Sequence, residues 1–107
     1  MRKFLDSNIW IYALNESQDF EKHQIANTLA TETGLYLSTQ VINEVCVNLI
    51  KKANFSETQV QNLIKGFAQV HQIVEIDLNI LLNASILRTK YLFSFWDSLI
   101  IASALSV

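Results

Sequence analysis

The stretch LYLSTQVINEVCVNLIKKA (residues 35–53) decides the fold, because it changes from strand spacing to helix spacing within a few residues. LYLS (residues 35–38) is short and largely apolar, which favours a strand. From Gln40 to Ala53 the apolar residues fall at the i, i+3, i+4, i+7, i+8 positions of one helical face. These residues are Ile42, Val45, Cys46, Leu49, Ile50 and Ala53. The stretch therefore predicts a strand followed directly by an amphipathic helix.

Strand and helix signals alternate on both sides of this stretch. Lys3–Leu5 and QIVEI (residues 72–76) are further strand candidates. The remaining helix candidates are residues 9–14, residues 19–32 with a stop at Gly34, a helix from the Ser56/Gln59 capping box, a helix opened by Asp77, and WDSLIIASALSV (residues 96–107). Strands joined through helices must lie parallel, with helices on both faces. We therefore expect a three-layer α/β/α fold with a short parallel sheet.

Composition limits the class of protein. The chain has 107 residues, half of them apolar and 17% charged, and it contains no proline, repeat or linker. We expect one folded domain over residues 1–107. No apolar run approaches the ~18 residues that span a bilayer, and Met1 is followed at once by Arg2 and Lys3, unlike a secretory signal. A cytoplasmic protein without a membrane segment is expected.

Charge and cysteine usage exclude further classes. A net charge of −2 gives no global positive field for nucleic-acid binding, so any such contact must be local. The single Cys46 cannot form an internal disulfide, and its place in a helical pattern predicts a buried, inert thiol. His23 and His71 are expected at the surface or at helix ends. For Phe93, Phe95 and Trp96 we expect packing rather than base stacking.

Three carboxylates stand where the predicted fold does not obviously need them. Asp6 ends the first strand candidate, Glu44 lies in the first turns of the helix after the second strand, and Asp97 follows an aromatic run at the start of the last helix. The carboxyl ends of parallel strands share one edge of a sheet, where ligands bind. Three acids near this edge are candidates for one shared site.

Each acid also has a structural interpretation. Asp6 fits a helix cap, since Asp accepts hydrogen bonds from the free N–H groups of a first turn. Glu44 could pair with Lys51 or bond to Asn48. Asp97 with Ser94 fits a capping pattern, and an acid in a first turn is favoured by the helix dipole. Taken singly, none of the three indicates catalysis.

Taken together, DSN (residues 6–8), STQVINEV (residues 38–45) and FSFWDSLIIASAL (residues 93–105) resemble the PIN-domain ribonucleases, in particular the VapC-type toxins. The resemblance spans essentially the whole chain. It implies a metal-dependent endoribonuclease, the toxin of a type II toxin–antitoxin system. RNA is then the substrate, an antitoxin protein the partner and a homodimer the assembly.

The resemblance also assigns roles to residues. Asp6, Glu44 and Asp97 are the implied catalytic metal ligands, and Asn8 is a supporting polar group, with helix capping as its equal alternative. Carboxylates that crowd one pocket repel each other unless they take up protons or bind a cation. A ligand set of oxygens without a Cys or His cluster favours Mg²⁺ or Mn²⁺. Such an ion activates water and stabilises the charge that develops on a phosphodiester.

The sequence departs from the family pattern at its end. PIN domains usually carry a further acid after a strand that follows the Asp97 helix, whereas this sequence stops at Val107. We therefore expect a C-terminally incomplete fold that leaves Lys3–Leu5 as a sheet edge open to pairing. One alternative is a catalytically impaired interaction module that binds an antitoxin or a complementing chain. Another is an unrelated doubly wound domain in which Asp6 accepts a phosphoryl group or caps a helix.

Overall fold

The computed structural model describes residues 3–15, 20–91 and 94–107, without the side chains of Phe20 and Trp96. The packing predicted for Phe93 and Trp96 lies outside the described residues. The helices are α1 Ser7–Leu14, α2 Phe20–Ala30, α3 Thr39–Ala53, α4 Glu57–Val70, α5 Leu78–Lys90 and α6 Phe95–Leu105. The strands are β1 Tyr36–Ser38 and β2 Gln72–Val74. Strands and helices therefore follow the predicted order.

The two strands form a short parallel sheet. The Gln72 N–H donates to the Leu35 carbonyl at 2.8 Å. On the other side of β1, Phe4 forms a single parallel bridge with Tyr36. From residue 3 onward, the strand predicted over Lys3–Leu5 is thus present as one bridge, and α1 begins at Ser7. The α/β fold with a short parallel sheet is confirmed.

Residues Met1–Ile73 form one compact unit and Val74–Val107 a second, and each is described by itself. In the first unit α1 packs against α2 and α3. Its core consists of Trp10, Ile11, Leu35, Leu37, Val41, Ile42, Val45, Cys46, Leu49, Val60 and Phe67. In the second unit α5 packs against α6. The buried apolar residues of these two helices are Ile80, Ala84, Leu99 and Ala102.

Side-chain caps set the helix starts. In α1, α3, α4, α5 and α6, the side chain of the N-cap residue accepts a hydrogen bond from the backbone N–H three positions later. This bond satisfies one of the N–H groups that the first turn of a helix leaves without a partner. The caps are Asp6 of α1, Ser38 of α3, Ser56 of α4, Asp77 of α5 and Ser94 of α6. Ser56 and Gln59 form the predicted capping box. Local sequence signals therefore fix where these helices begin.

The end of α2 differs from the prediction. The helix stops at Ala30, four residues before Gly34, and the Thr31 hydroxyl donates to the Thr28 carbonyl at 2.8 Å. Gly34 instead adopts a left-handed φ of 70° and donates its N–H to the Val70 carbonyl at 3.0 Å. This glycine therefore serves the approach to β1, not the helix stop.

His71 is half-buried and Cys46 is buried. Leu35 donates its N–H to His71 Nδ1 at 3.1 Å, and the ring packs edge-on against Trp10. Burial lowers the pKa of His71. Cys46 is a buried free thiol, as predicted, and burial, with a smaller effect of Glu57, raises its pKa. In the part of the chain that the structure describes, no helix combines the length and apolar character that crossing a membrane requires.

Candidate functional site

Asp6 lies where the bridge segment turns into α1. Its side chain is exposed, and Oδ1 accepts the Ile9 N–H at 3.1 Å. The capping interpretation is therefore observed. A carboxylate has about four lone-pair positions on two oxygens, so one capping bond leaves it able to bind another group. Capping and ligand binding are compatible at this position.

Glu44 occupies the second turn of α3, beside the buried stripe that contains Val41 and Val45. Its residue is half-buried, and Oε2 is shielded from solvent without a hydrogen-bond partner. A buried acceptor left unsatisfied costs about 1–3 kcal/mol, and a charged one more. Within residues 20–91, no ion pair joins Glu44 to Lys51. The pairing considered from the sequence does not satisfy this oxygen.

Asn48 follows Glu44 by one helical turn, and it too has an oxygen without a hydrogen-bond partner. Its Oδ1 is also shielded from solvent and lacks a partner. Both oxygens are acceptors, so neither can satisfy the other. The sequence suggests Asn48 only as a hydrogen-bond partner of Glu44. Its position at i+4 is the sequence signal that places it beside Glu44 on the helix.

Asp97 lies in the first turn of α6. It is exposed, and its backbone N–H donates to Ser94 Oγ at 3.0 Å, so the predicted Ser94/Asp97 capping pattern is present. The neighbouring Ser98 is fully buried, and its Oγ has no hydrogen-bond partner within the described part of the molecule. The cap fixes the start of the helix that carries the Asp97 carboxylate.

The acids are distributed over both units. Asp6 and Glu44 belong to the first and Asp97 to the second, so their convergence on one ion stays a prediction. Across residues 3–15, 20–91 and 94–107, no group of three or more His, Cys, Asp or Glu side chains is arranged to hold a metal ion. Asn8 is exposed within α1 and does not cap that helix, since Asp6 does.

The donor chemistry of α3 nevertheless fits a hard divalent cation. A shielded carboxylate oxygen without a partner calls for a hydrogen-bond donor or a cation, and Mg²⁺ or Mn²⁺ takes oxygen ligands of this kind. Within the first unit, Glu44 would offer one carboxylate ligand to such an ion. Glu44 is thus the residue whose surroundings fit a metal ligand best.

An α/β protein with short parallel strands and capped helices is the class that this fold defines. The model of the PIN domain family matches residues 3–107. The chain therefore belongs to the PIN domain family, and the resemblance noted in the sequence is confirmed at this level.

One solved structure with a similar fold is described as "Toxin-antitoxin complex from Klebsiella pneumoniae". The similarity has a TM-score of 0.68 at 24% identity and covers 96% of this chain and 78% of that chain. At this identity the likeness supports the fold. Among curated proteins, none matches this sequence.

Proposed function

We propose that this chain is a metal-dependent endoribonuclease, the VapC-type toxin of a type II toxin–antitoxin system, which acts on RNA in the cytoplasm. PIN domains are generally nucleases, and a similar structure is a toxin–antitoxin complex. The single observation that carries the metal dependence is the shielded, unpartnered Oε2 of Glu44. A carboxylate in these surroundings is suited to a cation.

Asp6, Glu44 and Asp97 are the proposed catalytic ligands of Mg²⁺ or Mn²⁺. The Ile9 N–H holds one oxygen of Asp6, and the Ser94 cap fixes the turn that carries Asp97. Asn8, two residues after the cap in the first turn of α1, supplies a supporting polar group. When bound, the cation supplies the positive charge that activates water and stabilises the phosphodiester transition state. The residues of the chain orient the substrate around that charge.

A matched pair of variants tests the role of Asp6. Asp77 caps α5 through the same bond, from the Ile80 N–H to Oδ1 at 2.9 Å. Asn caps a helix about as well as Asp, so D6N and D77N should both fold. We expect D6N to lower Mn²⁺-dependent cleavage of an RNA oligonucleotide by roughly 10²-fold or more, because a ligand of the cation loses its charge. D77N should cleave like the wild type. Full activity of D6N would eliminate the proposal.

A second test uses Glu44, whose replacement should affect stability differently without and with metal. E44Q removes a shielded charge, so thermal stability without metal should be unchanged or higher than that of the wild type. MnCl₂ should raise the Tm of the wild type and leave that of E44Q unchanged, since only the wild type binds the ion tightly. An equal Mn²⁺ shift in both proteins contradicts the role of Glu44.

Exposed apolar side chains on α5 support the proposal that the chain binds other proteins. Leu78, Leu82 and Ile86 of α5 are 80%, 59% and 45% exposed and follow one another at intervals of four residues. A stripe of this kind typically marks a contact with another protein. We propose that an antitoxin and a second copy of the chain are the partners. Light scattering should give twice the 12.2 kDa chain mass, and a monomer at every concentration would contradict the homodimer.

A second candidate function is an impaired PIN-like module that binds an antitoxin or a complementing chain without cleaving RNA. The exposed α5 stripe of Leu78, Leu82 and Ile86 favours it, since such a stripe typically marks a contact with another protein. It predicts neither Mn²⁺ binding nor cleavage. Induced expression in a bacterial host separates the two candidates: the nuclease arrests growth and its D6N variant does not, whereas the module leaves growth unaffected. Membership of the PIN domain family removes the hypothesis of an unrelated domain.

A further inference from the structure

Two unpartnered acceptors lie one turn apart on α3. Glu44 Oε2 and Asn48 Oδ1 are each shielded from solvent and lack a hydrogen bond. Residues four apart on a helix are neighbours on one face, so the helix backbone holds these two side chains together. Val41 and Val45, the buried residues beside them, have apolar side chains and offer no donor. With the Asn48 amide in this orientation, the pair needs a positive or donating group from outside the helix.

A bridging water is the simplest occupant, since it could donate one hydrogen bond to each oxygen. It would satisfy the hydrogen-bonding capacity of both atoms but leave the Glu44 carboxylate without a counter-charge. Shielded charges are normally paired or bound to a metal. No Lys or Arg forms an ion pair with Glu44 in the described ranges. A cation would bind both oxygens and also supply the counter-charge, whereas a water would only donate hydrogen bonds to them.

We propose that Asn48 Oδ1 is an oxygen ligand of the same divalent cation as Glu44; this inference rests on the proposed function. Amide oxygens bind hard cations as carboxylates do. A neutral ligand also adds a donor without adding another charge to a site in which acids already repel one another. Asn48 thereby extends the ligand set while limiting its negative charge.

The test compares Mn²⁺ affinity among single variants, measured by the electron paramagnetic resonance signal of free Mn²⁺. N48L removes the oxygen at similar volume, whereas N48D keeps an oxygen at the same position. N62L is the matched control, since Asn62 is an exposed asparagine on α4. We expect N48L to bind Mn²⁺ at least about tenfold more weakly, N48D at least as tightly as the wild type, and N62L like the wild type.

A spectroscopic readout follows the residue itself. Substoichiometric Mn²⁺ should broaden the side-chain amide NMR signals of Asn48 in the wild type, and E44Q should prevent this broadening. Both results are independent of RNA cleavage. If N48L folded poorly, the smaller truncation N48A, which also removes the oxygen, would decide the matter: weakened Mn²⁺ binding supports the role of Asn48, and wild-type affinity overturns it.

The outcomes separate the inference from the proposed function. Wild-type affinity in N48L, together with weakened binding in E44Q, overturns the role of Asn48 and leaves the nuclease proposal standing; a bridging water then explains the pair. A wild-type chain that neither binds Mn²⁺ nor cleaves RNA overturns the proposed function and the inference with it. Weakened binding in N48L and E44Q, with N48D and N62L unaffected, is the expected result.

Discussion

Helices α3 and α5 have similar lengths, 15 and 13 residues, but bury their apolar side chains very differently. In α3 the buried residues form one continuous stripe. They are Val41, Ile42, Val45, Cys46 and Leu49. In α5 only Ile80 and Ala84 are buried, while Leu78, Leu82 and Ile86 form a second, exposed stripe. Apolar content alone therefore does not tell which helix is anchored in a core; the angular arrangement of the residues does.

The largest effect on the free energy of unfolding is expected when one leucine of α3 is replaced and compared with one leucine of α5. Leu49 is fully buried, so L49A should lower the free energy of unfolding by about 2–5 kcal/mol through lost contacts and the cavity that remains. Leu82 is largely exposed, and L82A should change it by roughly 0.5 kcal/mol or less. Urea denaturation followed by circular dichroism measures both. Equal losses would show that α5 is as well anchored as α3.

A smaller effect is expected from the caps. S56A and S94A each remove the hydroxyl that caps a helix, and each should cost about 1 kcal/mol. The same chemical change is thus made once in each unit. Hydrogen exchange of α4 and α6 amides, measured beside the urea midpoint, shows whether the loss stays local. If S94A exposed α4 amides as strongly as α6 amides, the two units would have to unfold together.

The stability of the first unit, which contains both histidines, is expected to depend on pH through His71. His71 Nδ1 accepts the Leu35 N–H and must be unprotonated to do so. Burial lowers its pKa from 6.5 in the folded state, so as the pH falls below about 6.5 the unfolded chain takes up the proton first. Stability should therefore be complete above this pH and decline below it, until the folded ring is also protonated.

Thermal unfolding between pH 5 and 8 checks this decline. H71Q should flatten the profile, whereas H23Q, a change in the same unit, should retain it. An unchanged slope in H71Q would assign the acid sensitivity to other groups.

The smallest effect is expected at the surface. Lys3 Nζ lies 3.1 Å from Glu32 Oε2, but the two side chains are 52% and 48% exposed. Solvent screening limits such pairs to about 0–1 kcal/mol. K3M should therefore shift the urea midpoint far less than L49A, and the shift should shrink further in 1 M NaCl. A loss comparable to that of L49A would mean that the pair anchors the bridge segment to the first unit.

Sequence reasoning succeeds where local rules decide the structure. The Ser56/Gln59 box and the α3 stripe were predictable because the residues that define them lie within one or two turns. The buried residues of α5 were not, because two apolar stripes overlap: Ile80 is buried, whereas its apolar neighbour Leu81 is exposed. Only the packing of α6 against α5 decides between them.

The candidate site was likewise predictable from the sequence only in part. The positions of Asp6, Glu44 and Asp97 relative to strands and helices followed from the order of elements along the chain. Their assembly around one ion stays a prediction, because it depends on contacts between distant segments. The shielding of Glu44 and Asn48 oxygens is also a tertiary property. Sequence spacing could bring the two residues together, but it could not show that both lacked a donor.

The cap at the start of α1 has an evolutionary consequence. The bond from Ile9 requires only an acceptor oxygen at position 6, which asparagine and serine provide as well as aspartate. Mutations to either residue would therefore escape selection for folding while abolishing the proposed catalytic charge. A lineage that no longer needed a nuclease could thus retain an intact, partner-binding descendant after a single substitution.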